Sequence, residues 1–120
     1  MLRRSLVAAL LVAVAGCGGS DGPDPNATLV DAHAALCEAA AEPARARALF
    51  FDRAHDALHE VARRVEESER PLAAQLLEAK EVVESDLTAT RQARPDDLRR
   101  LAEVYRTTLG RLAITVAPCD

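Results

Sequence analysis

The 120-residue chain has no tryptophan, one tyrosine and two phenylalanines. With Phe50, Phe51 and Tyr105 as the only aromatics, a core must be assembled from leucine, valine and alanine. That implies slender helices packed closely, with modest burial per residue. No glycine lies between residues 23 and 109, and β-branched residues never alternate with polar ones, so strands find little support. There is no Lys/Arg stripe interleaved with stacking aromatics, which speaks against nucleic acid as a partner. Also missing are a Cys-x-x-Cys pair to lower a thiol pKa, a Gly-x-Ser-x-Gly elbow and a glycine-rich phosphate loop. These absences together favour a non-enzymatic protein.

What is present begins at the N-terminus. Arg3 and Arg4 precede an apolar run from Leu6 to Ala15, too short to span a bilayer as a stable helix. Small residues then lead into a cysteine, in the order Val14-Ala15-Gly16-Cys17. A charged start, a short apolar stretch and small residues before the cut describe a bacterial export signal. The ending Val14–Cys17 resembles the lipobox of bacterial lipoproteins, in which the signal is cut before the cysteine and that thiol is acylated. The resemblance implies a signal peptide over 1–16, a lipid on Cys17, and attachment to the outer face of the cell membrane or facing the periplasm. An ordinary secretory signal cut after Ala13-Val14-Ala15 is the alternative, and it would release a soluble protein.

Residues 17–26 follow as a tether. Gly18-Gly19-Ser20-Asp21-Gly22-Pro23-Asp24-Pro25 has little to bury, so order is expected to start near Asn26 or Thr28, either of which is a suitable helix cap. The remaining 27–120 suffices for one small domain. Nineteen acidic residues face fifteen basic ones, a formal charge of −4, which becomes −6 once Arg3 and Arg4 leave with the signal. The acids are mixed with arginines, as suits a soluble surface.

Pro43, Pro71 and Pro95 punctuate the domain at positions where a first helical turn tolerates them. The spacing predicts helices at about 28–41, 44–68, 71–90 and 95–116. Leu29, His33, Leu36 and Ala40 share a face of the first, with Cys37 at its edge. Phe51, Ala54, Leu58, Val61 and Val65 form a seam on the second. Leu72, Leu76, Val83 and Leu87 align on the third, and Leu98, Leu101, Tyr105, Leu109, Leu112 and Val116 on the fourth. The expected fold is all-α, a small up-and-down helical bundle of four helices, or of three plus a short N-terminal helix.

Three cysteines are an odd count for an exported chain. If Cys17 carries lipid, Cys37 and Cys119 remain as a pair, and an oxidising compartment would join them. Two free buried thiols are the alternative.

The densest polar cluster runs from Phe50 to Glu60. His55 and His59, four apart, stack one turn above the other on a helix, a spacing at which two imidazoles reach one metal. Asp52, three residues earlier, could add an oxygen ligand or orient a ring. The candidates for such a site are copper, zinc, and iron or haem. The competing reading is a solvated flank whose acids pair with Arg53, Arg63 and Arg64. His55-Asp56-Ala57-Leu58-His59 departs from the zinc-protease pattern His-Glu-x-x-His where the glutamate would activate water, and no histidine follows His59. The acids of Glu66–Glu69 and Glu78–Asp86, the latter bracketing Lys80, read as solvated faces rather than a calcium site. The sequence therefore points to an envelope binding or accessory module, touching the membrane through Cys17 and another envelope protein through its helices. Extracytoplasmic metal binding through His55, His59 and Asp52 is the alternative.

Overall fold

The computed structural model describes residues 24–89 and 92–120. The segment 1–16, Cys17 and the tether up to Pro23 lie outside them. The described residues form helices and no strand: α1 (Ala27–Ala41), α2 (Ala46–Leu49), α3 (His55–Val65), α4 (Arg70–Thr88) and α5 (Pro95–Arg111). A 3-10 turn over Pro43–Arg45 leads into α2, and a π-helical turn over Phe50–Ala54 joins α2 to α3. The run from Ala46 to Val65 is thus one rod, and the described residues form a small all-α bundle of four rods. Each packs on the next along the chain, and α5 closes the ring against α1. None of the described helices is long and apolar enough to cross a membrane.

The prolines act as expected. Pro43 opens the 3-10 turn, while Pro71 and Pro95 sit in the first turns of α4 and α5. The cap of α1 differs from expectation. Asn26 holds the cap position without a side-chain cap bond, and Thr28 lies within the helix. Asp24 does the work instead: its carboxylate accepts the Asn26 N–H at 2.9 Å and its carbonyl the Ala27 N–H at 3.0 Å.

The core is leucine, valine and alanine around two rings, Tyr105 and Phe50, both fully buried. Ala32, Ala35, Ala39, Ala46 and Ala54 have no exposed surface, so helix backbones approach closely. Phe50 replaces Phe51 as the buried member of the second seam, and Phe51 is only half-buried. The π turn is the cause. The His55 N–H bonds to the Phe50 carbonyl, five residues back, so the helix winds by fewer degrees per residue there and the inward phase shifts by one position.

The last helix also departs from expectation. It ends at Arg111, not near residue 116. Ile114 N–H bonds to the Leu109 carbonyl at 2.9 Å and Ala113 N–H to Gly110 at 3.1 Å, the paired bonds of a Schellman ending. Ala113 holds the left-handed conformation at φ 59°. The chain then turns back, burying Ile114 and packing Leu112, Val116 and Cys119 against the core. Arg106 Nε donates to the Val116 carbonyl at 3.0 Å and steadies this tail.

Candidate functional site

Among the described residues two clusters of chemistry-bearing side chains emerge, one where the tail meets α1 and one between α3 and α4. Cys37 and Cys119 form a disulfide with Cα atoms 5.3 Å apart, joining positions 82 residues apart in sequence. This is the pairing expected from the cysteine count. His33 lies one turn before Cys37 on α1 and is buried, with 5 % of its surface exposed. Its Nε2 and Nδ1 lie 3.8 and 3.9 Å from Cys37 Sγ. The imidazole stacks on Tyr105, centroids 6.5 Å apart and planes 18° from parallel. Tyr105 is itself fixed, since its hydroxyl donates to the Leu29 carbonyl at 2.7 Å. Burial, reinforced by the Arg106 charge, holds the His33 pKa below its ordinary value. Burial likewise pushes the Tyr105 phenol well above the usual range.

The second cluster contains the histidines singled out by sequence. The His55 and His59 rings lie 4.8 Å apart, edge to face. His55 Nε2 is 3.6 Å from Glu84 Oε1 on α4, and its Nδ1 is 3.3 Å from Asp56 Oδ1. Glu84 has a closer partner in Lys80, whose ammonium it receives in an i,i+4 pair. That hydrogen bond keeps the Glu84 carboxyl below the ordinary carboxylate range against the opposing effect of burial. Lys80 is only 3 % exposed, so the acidic run of α4 is not the uniformly solvated face expected of it. Its aliphatic stem fills core space while its charge is neutralised at the rim.

Asp52 is not gathered with His55 and His59. Among the described residues, only His33, Cys37 and Cys119 bring three metal-ligating atoms together, all within 4.8 Å of one another. Asp52 instead lines a groove of about 330 Å³ between α1 and the Phe50–Glu60 stretch, together with Leu29, Phe51, Asp56, Ala57 and Glu60. The π turn again explains the separation, because a three-residue step through it no longer returns to the same stripe. The expected local pairing holds for Glu60, which accepts from Arg63 and Arg64 at 2.9 Å. Arg53 reaches further, gripping Asp31 on α1 with two hydrogen bonds at 3.0 and 2.7 Å and Glu38 with a third at 3.2 Å.

The sequence places His33 on the core face of the first helix, with Cys37 at its edge, but does not by itself bring Cys119 to them. The signal was there in the His33–Cys37 spacing, which places both on one stripe of α1. The third member needed the tail to fold back. No protein-family model matches the chain, and comparison with curated proteins and with solved structures found no match.

Proposed function

We propose that this chain is a lipid-anchored extracytoplasmic module that works by holding a partner against its helical surface. The observation that carries the reading is the Cys37–Cys119 disulfide. A cross-link between those two thiols suits an oxidising compartment outside the cytoplasm. It also leaves Cys17 as the odd cysteine, at the position where the lipobox resemblance puts an acyl chain. The groove beside α1 is the surface best suited to binding. Its floor is apolar, from Leu29, Phe51 and Ala57, and its edge carries the exposed carboxylates of Asp52 and Asp56. A segment of another envelope protein with an apolar side chain flanked by a basic one matches that pattern.

The test has two arms. Intact-mass analysis of native protein is expected to give a mature chain starting at Cys17 with added acyl mass, and Cys17→Ser should move the protein out of the membrane fraction. In-cell crosslinking from a photoreactive residue at Ala57 is expected to trap a discrete partner that Asp52→Lys/Asp56→Lys abolishes. An unacylated Cys17 refutes the anchor, and crosslinks indifferent to the charge reversal refute the groove.

A second reading is favoured by the 4.8 Å approach of the His55 and His59 rings beside Glu84. Lys80 holds Glu84 Oε2, which leaves Oε1, the oxygen nearer His55, as the one a divalent metal would take. Zinc or copper bound by the disulfide-intact protein, and lost in His55→Ala/His59→Ala, would support it.

A further inference from the structure

We propose that the disulfide corner is also a latent metal site. With the Cys37–Cys119 bond reduced, Cys37, Cys119 and His33 form a Cys2His centre for a thiophilic cation, zinc above all.

His33 and Cys37 are four apart on α1, so a continuous helix fixes their relative position. Imidazole nitrogen and sulfur already stand 3.8 Å apart. Two ligands at the tetrahedral angle on zinc, with bonds of about 2.0–2.3 Å, are separated by roughly 3.5 Å. The ring is also oriented in advance by Tyr105 stacked on its face. Cys119 arrives from the other side on an irregular tail, whose anchor at Val116 leaves the last residues free of any helix. A modest side-chain rotation of Cys119 would open the sulfurs to the roughly 3.8 Å that a shared zinc requires.

The donor set then selects the cation. Two thiolates and a neutral imidazole are soft to borderline ligands, which favour zinc or cuprous copper over calcium or magnesium. Two thiolates balance Zn²⁺, so the half-buried corner gains no net charge. Cys37 and Cys119 are each partly exposed, which leaves the fourth position to water.

The redox step balances with a dithiol as reductant. The dithiol gives two electrons and two protons to the Cys37–Cys119 bond and is itself oxidised to a disulfide, leaving two protein thiols. Zinc then forms two Zn–S bonds and displaces the two thiol protons to solvent. Cys37 and Cys119 thus alternate between a covalent staple and, with His33, a metal cross-link joining α1 to the tail.

The experiment uses the full mature chain in oxidised form and after anaerobic reduction with a phosphine. Zinc is titrated against a chromophoric chelator, and thermal unfolding is followed in parallel. The reduced protein is expected to bind one zinc per chain at sub-micromolar Kd and to unfold at a higher temperature with zinc than without. His33→Gln, checked for helicity by circular dichroism, is expected to weaken binding at least tenfold and to cancel most of the thermal gain. Cobalt in place of zinc should give the intense tetrahedral visible bands of a thiolate site in the wild type. No zinc-dependent rise in Tm in the reduced protein would overturn the proposal, as would an equal rise in His33→Gln. Equal affinity in oxidised and reduced protein would also overturn it, assigning the metal elsewhere, with His55 and His59 the first place to look.

Discussion

The end of α5 carries a local mismatch that yields a sharp prediction. Ala113 adopts φ 59° at the position after the helix cap, where glycine is the usual occupant. Gly110, three residues earlier, is still inside the helix, where glycine is a poor helix former. The two residues stand in each other's preferred places. An L-residue in the left-handed region costs about 1–2 kcal/mol. Glycine there avoids that cost but gives back roughly 0.4–1 kcal/mol through the greater freedom of the unfolded chain. Ala113→Gly alone should therefore stabilise by about 0.5–1 kcal/mol. For Gly110→Ala, an added Cβ meets nothing within 4 Å, so no steric penalty opposes the propensity gain. Near a helix end that gain is about 0.5–1 kcal/mol. The exchange Gly110→Ala/Ala113→Gly keeps composition constant and should raise stability by about 1–2 kcal/mol, or Tm on the order of 5–10 °C. Urea unfolding of the protein, followed by circular dichroism, measures each variant. A double variant no more stable than wild type, or an Ala113→Gly that destabilises, would refute the Schellman ending and with it the return path of the tail.

Further outcomes follow from the same geometry. Replacing the staple by Cys37→Ala/Cys119→Ala frees a loop of 82 residues, which in loop-closure terms costs about 4.5 kcal/mol; the urea midpoint should fall accordingly and the slope should not decrease. Tyr105→Phe removes the buried bond to the Leu29 carbonyl and should cost about 1 kcal/mol with the fold retained, read from the same denaturation curve. Glu84 and Asp31 both have carboxyl pKa values lowered in the folded state, by hydrogen bonds from Lys80 and Arg53 respectively. Their stabilisation is complete above the unfolded values of about 4–4.5 and is lost as pH falls through the lower folded values. Glu84→Gln should therefore flatten the acid limb of a stability–pH profile and cost roughly 1–3 kcal/mol at pH 7, where Lys80 loses its closer charged partner and keeps only Glu81 at 3.6 Å.

The sequence alone determined the class of this fold. Three prolines at helix starts, an 87-residue span without glycine and leucines at helical spacing leave little but helices joined by short connections. Hydrophobic periodicity is a local property, so Leu58, Val61, Leu76, Leu98 and Leu109 were legible as core before any packing was known. Cysteine pairing was also legible as a conditional expectation: if Cys17 is set aside for a lipid, Cys37 and Cys119 are the single combination left.

What tertiary structure decided was phase and company. A π turn is one extra residue in a winding that sequence patterns assume to be uniform, and it moved burial from Phe51 to Phe50 while turning Asp52 away from the His55 stripe. Lys80 sits among acids in sequence, yet α4 packing took its stem inward because a long side chain can bury methylenes and keep its charge paired at the rim. The His33–Cys37–Cys119 corner depends on contacts between residues more than eighty positions apart, which no local spacing encodes. Only a reversal of the chain after Arg111, set by two backbone hydrogen bonds and one left-handed alanine, brings the last cysteine to the first helix.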